Sequence, residues 1–268
     1  MLHADLSLAR KLERAEARGN AGFVEVRARV APEVGAQWIE VAGAYAMFDG
    51  PDSFLTQTFG LGLFEDVTPA HLDELESFFR ERQAPVLHEI SPLASPGLLP
   101  LLTGRGYQPL EYTTVLYKAL APGSPSAAGN DRPQIRLAGP DEAELWARTA
   151  ADGWRSEGPE LADFIFEFGK ISTQRALSFL AEIDGRAVAT GSLILHEDVA
   201  LLAGASTVPD ARGQGAQTAL LHARLRYAAE QGCTVATIGA LPGSQSQRNA
   251  EKQGFRVAYT RTKWQLLR

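Results

Sequence analysis

A glycine followed by an aromatic residue occurs at Gly106-Tyr107 and again at Gly254-Phe255, 148 residues later, and further positions agree at that same offset. Gly43 meets Gly191, Leu72 meets Leu220, Phe79 meets Tyr227 and Ile90 meets Ile238, all in register without a gap. Self-similarity at one fixed offset is the signature of one folding unit written twice. Between the copies runs Ala121 to Pro133, A-P-G-S-P-S-A-A-G-N-D-R-P. Small residues and prolines cannot build a core, so this stretch reads as a linker. A chain of 268 residues, 45% of them hydrophobic, supplies two domains of ordinary size. The expected division is 1–120, a linker at 121–133, and 134–268.

Periodicity and turn chemistry predict the elements of each copy. In the first, a helix from Leu6 to Arg18 stops at Gly19 and strands follow at Phe23 to Val30, Gln37 to Met47 and Ser53 to Leu63. Thr68 is placed to cap a helix with Pro69 in its first turn and Leu72, Leu75, Phe78 and Phe79 on one face. A strand over Pro85 to Ile90, a short helix over Pro96 to Thr103 and a strand over Thr113 to Leu120 complete that copy. The second begins with a strand at Gln134 to Leu137 and helices at Asp141 to Ala151 and Glu160 to Ile171. Leu177 to Ile183 and Ala187 to Leu195 then form a hairpin across Asp184-Gly185. A strand at Val199 to Thr207, a helix at Gln217 to Gln231, a strand at Thr234 to Ile238, a helix at Ser246 to Gln253 and terminal strands from Phe255 finish the chain. The fold class is α/β, in the α+β sense: two tandem domains, each a mixed, mostly antiparallel sheet flanked by helices.

The stretch with chemistry is Val208 to Leu221, V-P-D-A-R-G-Q-G-A-Q-T-A-L-L, which joins a strand to a helix. Pro209 and Asp210 end the strand, and Gly213 and Gly215 remove the side chains that would keep a ligand from the backbone N–H groups. A helix N-terminus carries unpaired donors and a partial positive charge, so strand, glycine turn and helix together suit an anion such as phosphate. Arg212 adds a fixed charge. No Gly-Lys-Ser/Thr follows, which excludes a P-loop, and the third glycine of the dinucleotide fingerprint is missing. Arg212-Gly213-Gln214-Gly215-Ala216-Gln217 resembles the acetyl-CoA loop of the GCN5-related N-acetyltransferase (GNAT) superfamily, Gln/Arg-x-x-Gly-x-Gly/Ala, with Gln217 departing at the last position. At the repeat offset the first copy has Phe64, Glu65, Asp66 and Val67 instead. Two carboxylates where an anion would sit mark it as a degenerate copy without a CoA loop.

The resemblance implies transfer of an acetyl group from acetyl-CoA to a primary amine of a small or amino-acid-like molecule, by direct attack in a ternary complex. It implies that Ser206, Thr207 and Val208 hydrogen-bond the pantetheine arm through their backbone, with an N–H near Val208 stabilising the thioester oxyanion. Gly213, Gln214, Gly215, Ala216, Gln217 and Thr218 would hold the pyrophosphate. Ser246 to Phe255 resembles the family's second motif, which brings Ser246 and Asn249 toward the ligand. The tyrosine that often stands four residues before that motif's glycine is Ala250 here. Tyr259, Ser246 or water is left to protonate the thiolate. No acid lies on the strand from Val199 to Val208, so the general base is sought in W-R-S-E-G-P-E, where Glu157 and Glu160 lie beside the acceptor pocket and Trp154 would form its wall. Each has a plainer reading: a helix cap for Ser246, a strand aromatic for Tyr259, a solvated loop for the glutamates.

A formal net charge of −6 with no block of Lys or Arg argues against nucleic acid. No apolar run reaches a membrane span of roughly 18 residues, and Met1 to Asn20 is too charged for a signal peptide. The single cysteine, Cys233, reads as a buried small hydrophobe, and a cytoplasmic protein is expected. The five histidines show no ligand spacing, so no metal is expected. A homodimer stays open. The two-domain arrangement resembles that of mycothiol synthase, and a non-catalytic CoA-binding or regulatory module is the reading from another class.

Overall fold

The computed structural model describes residues 2–121 and 133–267, so nearly all of the expected linker lies outside the described residues. The first copy contains α1 (Leu6–Val30), β1 (Gln37–Val41), β2 (Ala44–Phe48), β3 (Thr58–Phe59), α2 (Pro69–Arg80), β4 (Leu87–Ile90), α3 (Leu98–Gly104) and β5 (Tyr107–Ala119). The second contains β6 (Gln134–Leu137), α4 (Ala143–Trp154), α5 (Pro159–Ser172), β7 (Leu177–Ile183), β8 (Arg186–His196), β9 (Val199–Thr207), α6 (Ala216–Glu230), β10 (Val235–Ala240), α7 (Gln245–Lys252) and β11 (Arg256–Leu266). From β2 onward the two copies run through the same order of elements, as the repeat predicts. The boundaries 1–120 and 134–268 follow that repeat. Packing groups the chain differently, into one compact unit of residues up to Lys118 together with those from Thr237, and a second of Ala119–Ala236.

In the first unit the expected strand at Phe23 to Val30 is instead the second half of α1. Gly19, Gly22, Phe23 and Val26 are buried and continue the helical stripe of Leu8, Leu12 and Ala15. That burial outweighs the roughly 1 kcal/mol that a mid-helix glycine costs. The expected strand at Gln37 to Met47 is a hairpin, β1 and β2, turning at Ala42-Gly43 with φ of 49° and 73°. Gly43 is required there on a second ground, since a Cβ would lie 2.6 Å from Cβ of Phe64. Of the strand expected over Ser53 to Leu63, Thr58–Phe59 alone pairs as a strand. Thr68 and Pro69 start α2 as predicted, and Leu72, Leu75 and Phe79 enter a core with Val41, Ala46, Ile90 and Leu102.

The sheet of this unit carries β1-β2-β3-β4-β11-β5 in that order. β11 pairs antiparallel with β4, Thr262 opposite Ile90, and with β5, Arg261 opposite Thr113. The second copy's terminal strand therefore fills a slot between two strands of the first. A buried charge cluster fixes it there. Arg261 donates through Nη1 and Nη2 to both carboxylate oxygens of Glu16 at 2.7 and 2.6 Å, lies 3.0 Å from Glu89 and 3.4 Å from Glu13, and is 4% exposed. Tyr259 donates to Glu13 at 2.8 Å, and Lys263 adds ion pairs to Glu89 and Glu111.

The second unit has the order β9-β8-β7-β6, antiparallel throughout. Asp184-Gly185 turns the β7–β8 hairpin with φ of 52° and 76°, as expected of that dipeptide. Trp146 of α4 packs with Ala150 and Leu180 and donates Nε1–H to the Phe179 carbonyl at 3.0 Å. A Cβ on Gly191 of β8 would meet Arg224 of α6, while neighbouring Ser192 lies near Gly204 and Trp146. Successive strand residues point to opposite faces, so α4 and α6 cover opposite faces of this sheet. Cys233 is buried, which pushes its thiol pKa up.

Burial raises the Glu13 carboxyl to about 7, against the opposing pull of Arg261. The folded state thus holds a proton that the unfolded chain releases near 4.5. Its contribution is present below that pH and is lost as pH rises through about 7. Glu89, also raised by burial, acts in the same direction. Thermal melts from pH 5 to 8 should show Tm falling with pH, and Glu13→Gln, which still accepts from Tyr259, should flatten that slope.

Candidate functional site

The site is built where β9 ends. Thr190 stands opposite Ser206 and Ser192 opposite Ala203, so Gly204 and Ala205 face Gly191 alone and β9 carries a bulge. Gly204 has φ of 60°, and a Cβ there would lie 2.8 Å from Ser192 Oγ. Beyond the bulge the Ser206 hydroxyl donates to the Ala150 carbonyl at 2.8 Å. Gly153 lets α4 settle on this strand end, since a Cβ there would fall 1.9 Å from Ser206 Oγ.

Pro209–Ala211 then form a 3-10 turn, and Gly213 and Gly215 adopt φ of 80° and 83° before α6 begins at Ala216. Nothing lies within 4 Å of where a Cβ would stand at either glycine, so this face of the turn is open. Gly215 occupies the N-cap position and no side chain caps the helix. The first-turn N–H groups of α6 lack the usual side-chain acceptor. Ala216 is buried beneath this turn, and Thr218 is exposed on its surface.

The matching place in the first copy is closed in three ways. Thr68 accepts from His71 N at 3.3 Å while His71 Nδ1 accepts from Thr68 N at 3.3 Å, a capping box that satisfies α2. Phe64 packs on Gly43 and Gly60, with the Arg14 guanidinium 4.0 Å from its ring centroid. Glu65 and Asp66 are exposed, and Asp66 accepts from Ser95 Oγ at 2.7 Å.

Several predicted residues turn out to hold the loop itself. The N–H of Val208 donates to the Val188 carbonyl at 2.9 Å, so it belongs to the sheet, and an oxyanion donor near Val208 would be one of its neighbours. Alternation turns the backbone N–H of Thr207 to the other side of β9. Arg212 donates to the Gly153 carbonyl at 2.8 Å, which ties the turn to α4. Gln214 donates to the Asp210 carbonyl at 3.2 Å. Gln217, the departure from the loop pattern, uses Nε2 to reach both the Ser206 carbonyl and Thr207 Oγ1 at 2.8 Å. It braces the first turn of α6 against the strand end.

A cleft of about 710 Å³ opens between α4, the 3-10 turn Arg155–Glu157, the start of β8 and Val208 to Asp210. Its charged lining includes Arg148, Asp152, Arg155, Arg186 and Asp210. Arg155 pairs with Asp152 at 2.7 Å and Arg186 with Asp210 at 2.6 Å. The Arg186 guanidinium holds the Asp210 carboxyl below its usual range. Trp154, half-buried at the end of α4, and Glu160, exposed in the first turn of α5, are not among the lining residues. Glu157 ends the 3-10 turn, and its side chain lies outside the described residues.

The second motif belongs to the first compact unit. Ser244, not Ser246, caps α7, accepting from Gln247 N at 3.2 Å. Ser246 and Asn249 are exposed, and Asn249 accepts from Gln245 Nε2 at 2.7 Å. Tyr259, expected as a candidate acid, is 7% exposed with its hydroxyl committed to Glu13, and burial together with the Glu13 charge raises its pKa far above the ordinary phenol. It is not free to protonate a departing thiolate.

Residues 142–255 match the model of the acetyltransferase (GNAT) family. No curated protein sequence matches the chain. Among solved structures, a GCN5-related N-acetyltransferase from Kribbella flavida is 19% identical, with 93% of this chain and 94% of that one covered at a TM-score of 0.61. A tandem GNAT protein from the clavulanic acid biosynthesis pathway, solved without acetyl-CoA, is 15% identical over 84% of this chain and 78% of its own, with a TM-score of 0.58. A GCN5-related N-acetyltransferase from Sphaerobacter thermophilus is 17% identical over 78% and 71%, with a TM-score of 0.55. These are likenesses of fold, and the fold is the tandem one that the repeat predicts.

Because Gly215 holds a left-handed conformation with open space around it, Gly215→Ala should destabilise through the backbone alone, by about 1 kcal/mol. Urea unfolding measures this; the same substitution at Gly97, which has equal space and no positive φ, should cost less.

Proposed function

We propose, for a chain whose residues 142–255 match the model of the acetyltransferase (GNAT) family, that it transfers an acetyl group from acetyl-CoA to a primary amine of a small, amino-acid-like molecule in a ternary complex. The observation that carries this reading is the contrast between the two copies. The turn before α6 is open and its helix uncapped, whereas the turn before α2 is filled by Phe64 and its helix closed by Thr68 and His71. The residues present fit an anionic carrier at one copy alone. The backbone from Gly213 to Thr218 would hold the pyrophosphate, and Thr207 with its neighbours the pantetheine arm. Acetyl-CoA supplies the activated acyl group; the protein supplies position and donors.

The acceptor is assigned to the cleft beside Val208. Its lining carries both signs of charge, Asp152 and Asp210 with Arg148, Arg155 and Arg186, which suits a molecule bearing an amine and an acidic group. Asp210, held ionised by Arg186, serves better as an anchor for an ammonium than as a base. Asp152 joins Glu157 as a proton acceptor, and water remains to protonate the thiolate. The partner is a small molecule, with neither nucleic acid nor membrane in the reaction. Among the described residues no helix is long and apolar enough to cross a membrane.

A non-catalytic CoA-binding module is the second reading, favoured by Ala250 in the usual tyrosine's place and by the engagement of Tyr259 with Glu13. Thiol release from acetyl-CoA, followed with the full chain and a panel of amines that includes free amino acids, separates the two. Amine-dependent release is expected. Calorimetric binding with no release on any amine would establish the module instead, and absence of binding would remove both. On the accepted amine, Asp152→Asn should lower kcat by about tenfold while leaving the affinity for acetyl-CoA unchanged.

A further inference from the structure

Among the described residues, no acid pairs with the buried Arg224 of α6. It is 3% exposed, and among the described residues its surroundings supply carbonyls in place of a carboxylate. Nη1 donates to the Ser192 carbonyl at 3.0 Å and to the Ala203 carbonyl at 3.1 Å, and Nε to the Leu220 carbonyl at 3.3 Å. Burial alone lowers its pKa to about 10, which leaves it charged at neutral pH. Confining such a charge is costly, and an apolar side chain of similar length would fill the space without that cost. What the guanidinium adds is a set of donors in a fixed plane: Nη1 reaches a carbonyl on each of two strands, while Nε holds the group to its own helix.

The place it reaches is the edge of the bulge. Ser192 and Ala203 are the pair at which the regular β8–β9 ladder stops, and the next residues on β9 are Gly204 and Ala205. Gly191 is bare so that the guanidinium can lie against it, a Cβ there falling 2.7 Å from Arg224 Cζ. On the other face Trp146 stands 3.2 Å from where a Gly204 Cβ would be. The bulge is gripped from both sides, and the residues just beyond it are Ser206, Thr207 and the open turn.

We propose that Arg224 is a positioning residue for the acyl-transfer site: by bridging the Ser192 and Ala203 carbonyls it fixes the bend of β9 that aims Thr207 and the glycine turn at the ligand. The mechanical half of this inference stands on the contacts alone, and the catalytic half rests on the function proposed above. Three variants of the full chain test it. Arg224→Met keeps volume and removes fork and charge, Arg224→Lys keeps charge without the fork, and Gly191→Ala displaces the guanidinium while leaving it in the sequence. Two readouts are taken, amide hydrogen exchange and the split between kcat and KM.

For Arg224→Met, exchange at residues 203–208 is expected to quicken by about tenfold while that of the β6–β7 pairing stays unchanged, and kcat to fall by about tenfold, with partial recovery in Arg224→Lys. Unaltered exchange at 203–208 in a folded variant would overturn the proposal, as would unaltered kcat beside quickened exchange. Should Arg224→Met fail to fold, Gly191→Ala must give the same local signature, and its absence overturns the proposal equally. A wild-type chain that turns over no amine refutes the acyl-transfer reading instead. Exchange at 203–208 and the affinity for acetyl-CoA then decide the role of Arg224.

Discussion

Arg261, enclosed by Glu13, Glu16 and Glu89, is the interaction on which the first unit depends. Burial raises the Glu13 pKa against the pull of Arg261, with the neighbouring Glu16 and Glu89 charges adding to the rise. Removing one partner of such a group leaves uncompensated charge in a low-dielectric interior, which costs far more than an exposed ion pair is worth. The cluster also dictates pairing. A strand that presents Tyr259 and Arg261 on one face fits between β4 and β5, beneath the two glutamates of α1, and the ladder to both neighbours follows.

The two copies show how little separates a ligand-ready turn from a closed one. Both copies carry a strand, a glycine-containing turn and a helix in the same order. In the second, two left-handed glycines and an empty cap position leave backbone donors exposed. In the first, one phenylalanine and one threonine–histidine box remove both features. Neither difference alters the core, which is why one copy can keep the fold without the site. Gln217 and Arg212 illustrate the converse, residues of the loop pattern that serve the loop's own shape.

Local chemistry was legible in the sequence wherever one turn or cap decides the outcome. Thr68-Pro69 starts a helix, Asp184-Gly185 closes a hairpin, and Val199 to Thr207 is a strand with those same bounds. Legibility failed where burial decides. Phe23 to Val30 is apolar enough for a strand and lies in a helix because its stripe matches that of Leu8 and Leu12. The neighbours of β11 were illegible for another reason: Arg261 and Glu13 are 248 positions apart, and no periodicity encodes such a pairing. Tyr259 suffered from the same blindness, since its role follows from Glu13 and not from its own strand. Nothing in the sequence singled out Arg224, although Gly191, matched to Gly43 by the repeat, was the available hint that something close-fitting lay beside β8.

The place of β11 also sets an order of events during synthesis. Of the elements described, it leaves the ribosome last, yet the sheet it enters is made of strands translated long before. Until it arrives, β4 and β5 present unpaired edges and Glu13, Glu16 and Glu89 lack the cation that holds them together. The first unit therefore cannot finish folding until β11 has been made. A ribosome that stops short of Arg256 would release a chain with a gap in its sheet, open to proteases and to stray strands from other chains.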